Sequence, residues 1–124
     1  MFELTIKGNV YQFAFNMGFL RAANKTLKAP VDGVPNAEKN VGLRMMIIDV
    51  IDGDMESLVN ILDLANAGFT PRVTKDLLDD HINNPETDID KLFETVLDFL
   101  EKSNATRKTL QSIKTMAARE GIEI

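Results

Sequence analysis

The chain has 124 residues, 27% of them charged, no cysteine, and a formal net charge of -5 at pH 7. Its length suits a single domain with a sizeable core, and the lack of cysteine excludes disulfides, thiolate metal sites and thiol catalysis. The acidic balance argues against a nucleic-acid partner, and no apolar run nears the ~18 residues of a membrane span, so a cytosolic chain with neither partner is expected.

The opening stretch "FELTIKGNVYQFAF", from Phe2 to Phe15, alternates apolar and polar residues on both sides of Gly8-Asn9. That pair, with Gly first, predicts a type II′ hairpin turn. The turn would place Ile6 opposite Tyr11, Leu4 opposite Phe13 and Phe2 opposite Phe15, with all six on one face. Glu3, Thr5, Gln12 and Ala14 would fall on the other. A lone hairpin is marginal in water, so this apolar face must pack on helices. The open edges suggest a device for pairing copies, with Glu3, Thr5, Lys7, Val10, Gln12 and Ala14 as candidate self-association residues.

Asn16 is a good N-cap and predicts a first helix through Leu27. "APVDGVPN" then reads as a loop because of its two prolines and Gly33. Asn36 would cap a second helix, Ala37 to Ile51, whose "LRMMIIDVI" centre is apolar nearly all round and marks it as the central buried helix. Met45 and Met46 would fill the core there, while Met17, Met55 and Met116 are candidates for an adaptable surface. Gly53 stops that helix and Asp54 caps a third, with Met55, Leu58, Val59 and Leu62 on one face. Thr70-Pro71 or Thr74 would start a fourth helix ending near Ile82. Thr87, with Asp90 three residues on, suggests a capping box for the fifth. There Ile89, Leu92, Phe93, Val96, Leu97 and Leu100 follow helical spacing. Asn104 would cap a sixth helix with a thinner stripe of Leu110, Ile113 and Ala117. The fold class expected is α+β in one domain: a hairpin over about residues 2–15 packed on about six helices over residues 17–119.

Charge is unevenly placed. Residues 76–101 hold nine acids and one base, and residues 102–119 hold five bases and no acid. Two solvated helix faces account for this. A head-to-tail contact between copies would also use it, making Arg107, Lys108, Lys114 and Arg119 a candidate charged partner face.

Catalytic chemistry finds little support. His81, the single histidine, stands in "DDHI" without a nucleophile or Gly-rich turn, so a hydrolase built on it is a remote reading. Asp49, Asp52, Asp54 and Glu56 around Gly53 lack the ligand spacing of a calcium loop, and a helix stop followed by a helix start explains them. No phosphate loop, dinucleotide fingerprint or nucleophile elbow occurs. No catalytic, cofactor-binding or metal site is expected.

Taken in order, "FELTIKGNVYQFAFNMGFLRAANK", "PVDGVPN", "VIDGDMESLVNILDLANAG", "PRVTKDLLDDHI" and "TDIDKLFETVLDFLEKSNATRKT" resemble the tail assembly chaperones of long-tailed phages and prophages of Gram-positive bacteria. The similarity runs from about Phe2 to Leu110 and is weakest from Gln111 to Ile124. It implies a non-enzymatic protein of the host bacterial cytoplasm, absent from the mature virion. Such a protein would coat the tape measure protein, self-associate, and leave as the tail tube protein polymerises. It also implies that this is the short product of a frameshifted pair, whose longer form engages the tube subunit. A small phage regulatory or DNA-associated protein is the alternative.

Overall fold

The computed structural model describes residues 1–122. Strand β1 (Phe2–Ile6) pairs antiparallel with β2 (Asn9–Phe13), and a second two-stranded sheet joins β3 (Lys28–Pro30) to β4 (Glu38–Asn40). Six helices complete the fold: α1 (Met17–Asn24), α2 (Gly42–Ile51), α3 (Met55–Asn66), α4 (Lys75–Asn83), α5 (Ile89–Lys102) and α6 (Asn104–Arg119). The α+β expectation holds.

The first hairpin has the expected apolar face and a different register. Phe2 lies opposite Phe13, Leu4 opposite Tyr11, and Ile6 opposite Asn9. The turn is therefore Lys7-Gly8, both with positive φ (51° and 81°), a type I′ geometry rather than the expected II′. Moving the turn by one residue shifts the pairing by two, which preserves parity, so the same side chains stay inward. The observed register releases Phe15 from the ladder into an aromatic cluster. Phe2 stacks on Phe13 at 5.2 Å between centroids, and Phe15 meets Phe2 at 5.8 Å and Phe19 at 4.8 Å. Phe99 of α5 closes on Phe2 at 4.9 Å. Each buried aromatic or aliphatic side chain contributes about 1.5–3 kcal/mol, which is how the helices stabilise a hairpin that would be marginal alone.

Asn16 caps α1, its side chain accepting from Phe19 N at 2.9 Å. Asp54 caps α3 and Thr74 caps α4 in the same way. Other expected starts are corrected. Helix α2 begins at Gly42 rather than Ala37, because residues 28–40 form the β3–β4 arm. Asn36 takes a left-handed φ of 62° in the turn of that arm instead of capping a helix. The cap of α5 is Asp88, which accepts from Lys91 N, while Thr87 turns back to donate to the His81 carbonyl. For α6 the cap position is Ser103, not Asn104, and its hydroxyl donates to Phe99 O.

Helix α2 packs against α1, α3, α5 and α6, and so holds the central place expected of it. Gly42 makes this possible at its start: a Cβ there would run into the Ala23 carbonyl and the Thr26 hydroxyl. Ile47 of α2, Leu58, Ile61 and Leu62 of α3, Val96 and Leu100 of α5, and Phe13 of β2 are fully buried. Met46 joins this core, but Met45 is 39% exposed, contrary to expectation, and Met55 lies on the surface.

Candidate partner-binding surfaces

The two edges of the first hairpin differ. Ile6 and Asn9 flank the tight turn, so Ile6, Leu4 and Phe2 direct their backbone groups at β2, and Glu3 and Thr5 direct theirs outward. On β2 the outward groups belong to Val10, Gln12 and Ala14. Two of these are taken within the chain: Asn66 Nδ2 donates to Gln12 O at 2.9 Å, and Ala14 N donates to Ala65 O at 3.0 Å. No backbone bond outside the ladder joins Glu3 or Thr5 among the described residues. The candidate pairing edge therefore narrows to β1. Lys7 sits at its end and pairs with Asp80 of α4 at 2.7 Å, and that carboxylate raises the Lys7 pKa.

Asn66 ties the covered edge to the rest of the domain. It is fully buried at the last position of α3. Its amide donates also to Pro71 O at 3.2 Å, and its carbonyl accepts from Val73 N at 2.6 Å and from Arg72 Nη1 at 3.0 Å. Arg72 in turn bridges to Asp63 at 3.0 Å. Sequence reasoning missed this node. Its one visible signal was a polar residue on the apolar side of α3, next to Ala65.

Five methionines are exposed: Met1, Met17, Met45, Met55 and Met116. Met45 lines a cleft between α2, α3 and the segment that follows α1, about 390 Å³ in volume, together with Leu27, Met46, Leu64, Asp49, Asp63 and, from α4, Lys75. Leu64 is shared with a second depression at the start of α1, lined by Met17, Gly18 and Ala22. The two adjoin at Leu64 and are taken together as the α1–α3 track, whose cleft half also carries Asp49, Asp63 and Lys75. On the opposite side, Met116 accepts from Arg44 Nη2 at 2.6 Å beside Ile48 and Ile113.

The acidic stretch runs over α4 and α5 and the basic stretch over the end of α5 and α6, and α5 packs on α6. Part of the charge contrast is met inside the chain: Lys114 lies 3.8 Å from Glu101, and Lys102 lies 2.8 Å from Asp98. Arg107, Lys108 and Arg119 are exposed and form no ion pair among the described residues.

His81 is half-buried beside the β1 turn, and burial lowers its pKa. Asp54, in the acidic group, has its pKa lowered by the hydrogen bonds it accepts from Ser57 as a helix cap. No group of three or more acidic or histidine side chains among the described residues is placed to hold a metal ion. No helix among them is long and apolar enough to cross a membrane. What the geometry offers is surface: a free strand edge, an apolar track and an arm.

A family described as phage tail assembly chaperone protein, TAC, matches residues 3–114. The chain belongs to that family. The match takes in all ten elements apart from the ends of β1 and α6, so the free edge, the methionine track and the arm of this tail assembly chaperone all lie within the family's own span. No curated protein and no solved structure matches it.

Proposed function

We propose that this chaperone binds the tape measure protein during tail morphogenesis, keeps it soluble and extended, and is displaced as the tail tube polymerises. The reading rests on family membership over residues 3–114. The exposed methionines support it. Met side chains are unbranched and polarisable, so they adapt to many apolar helix faces without demanding one sequence. A long helical partner offers repeated apolar stripes that aggregate when bare. Each copy would lay one stripe in the α1–α3 track lined by Met17, Leu64 and Met45, a helix-in-groove mode. Many weak contacts hold by avidity and can still be stripped one at a time by a polymerising tube. Such a role is non-enzymatic, belongs to the host bacterial cytoplasm, and calls for self-association. Contact with the tail tube protein falls to a longer, frameshifted product.

Co-expression with the cognate tape measure protein tests this. Soluble tape measure protein co-purifying with the chain is expected, and Met45→Asp should weaken the complex. Equal solubility with and without the chain, and no complex, would sink the proposal.

A further inference from the structure

Among the described residues, the β3–β4 arm packs substantially on no other strand or helix. Its hydrogen-bonded pairs are Val41 with Leu27, where Val41 N donates to Leu27 O at 2.9 Å, and Val31 with Ala37, where Val31 N donates to Ala37 O at 2.9 Å. Ala29 lies opposite Lys39 between them. Strand alternation therefore sets Ala29, Val31 and Ala37 on one face with the Lys39 side chain. These three are half-buried, and none belongs to the core or to the side chains packed against it. Neither strand packs substantially on α5 or α6 of its own chain. The tip carries Val34, which is 52% exposed. A two-stranded hairpin left like this is marginal in water. The face asks for a partner with an apolar floor and a carboxylate for Lys39.

The chain itself has such a surface. Between the end of α2, α5 and α6 runs a groove of about 490 Å³ with Ile51 and Leu97 on its floor. Asp52, Glu94, Asp98 and Glu101 rim it against one lysine, Lys114. The ion pairs that Glu94, Asp98 and Glu101 make with Lys91, Lys102 and Lys114 are exposed, so they exchange at little cost. Asp52 has no ion pair among the described residues. Apolar floor meets apolar face, and the acidic rim meets Lys39.

We propose that the arm of one copy docks in the α5–α6 groove of the next. The proposal deepens the self-association in the reading above and rests on it for its purpose. The two surfaces differ, so the contact is heterologous: it leaves one free arm and one free groove and propagates as an open row of copies unless it closes into a ring. An open row suits a coat on a long polypeptide.

Sedimentation velocity on the full chain alone, over a concentration series at low salt, tests it. Wild type should show concentration-dependent association. Lys39→Glu and Glu94→Lys should each weaken it roughly three- to tenfold, as rim charge reversals do, with unchanged circular dichroism. Mixing the two variants should restore association, because position 39 of each arm then meets the complementary charge at position 94 of the other variant's groove. A wild type that stays monomeric throughout, or reversals that leave association unchanged, would overturn the proposal. So would a Lys39→Glu chain that self-associates normally but loses tape measure protein, which would assign the arm to the cargo and leave the chaperone reading standing. Association that responds to both reversals, in a chain with no effect on tape measure solubility, would keep this proposal and remove that reading.

Discussion

Replacing Asn66 by alanine removes four hydrogen bonds at once, and their partners suffer unequally. Gln12 O is half-buried, and Pro71 and Arg72 lie at the surface, so those groups can turn to water. Val73 is only 2% exposed, and its N–H, which donates to Asn66 at 2.6 Å, has no such recourse. An orphaned buried donor costs about 1–3 kcal/mol. Adding roughly 0.5–1 kcal/mol for the two amide bonds that water replaces imperfectly gives a total near 3 kcal/mol. Urea unfolding should show a lower midpoint with an unchanged slope, and the melting temperature should fall by about 10 °C for a domain of this size. Asn66→Asp should be no milder: it keeps the acceptor for Val73 but turns a carboxylate oxygen toward the carbonyls of Gln12 and Pro71. A loss below about 1 kcal/mol for Asn66→Ala would mean that the node is not what ties β2 to α3.

Gly42→Ala should destabilise by about 2 kcal/mol, since the new methyl meets a backbone carbonyl that cannot swing aside; thermal melts of the two proteins decide it. Asn16→Ala should cost about 1 kcal/mol through loss of the α1 cap, read by denaturant titration. His81 has its pKa lowered below its ordinary 6.5 by burial. The unfolded chain therefore takes up this proton first as pH falls, and stability should decline from about 6.5 downward and level off below the folded value. Melting temperatures between pH 8 and pH 5 should show a shallower decline in His81→Gln than in wild type.

The legible parts of the fold were those set by periodicity. The apolar face of the first hairpin follows from strict alternation, and the α5 stripe from helical spacing, and neither depends on the identity of one residue. The turn did depend on one. Lys7 at positive φ is a costly choice, so Gly8-Asn9 looked better locally, but Lys7-Gly8 lets Phe15 pack with Phe2 and Phe19. The β3–β4 arm was illegible for a related reason. Its strands are three residues each, and "EKN" carries no apolar alternation. Nothing local separates such a strand from the first turn of a helix, and Asn36 is as apt in a left-handed turn as in a cap. Adjacent candidates misled again at Thr87 and Asp88. Among surface features, the charge contrast was visible, but its partial neutralisation between α5 and α6 required knowing that the two helices touch. The methionine surface was half visible: Met45 and Met46 are neighbours in sequence, and only the facing of α2 separates them.

That facing gives the protein a chemical sensitivity. Sulfoxidation turns a methionine side chain from apolar to polar, and its rate follows exposure. Met17, Met45, Met55 and Met116 stand open to an oxidant, while Met46 is sheltered at 9% exposure. Mild peroxide should therefore alter the surface and spare the fold. A chain so treated would keep its melting profile while losing the cargo binding proposed for its methionines, and methionine sulfoxide reductases would return it. Under the proposed function, assembly of a tail under oxidative stress would then stall at this chain while it is still folded.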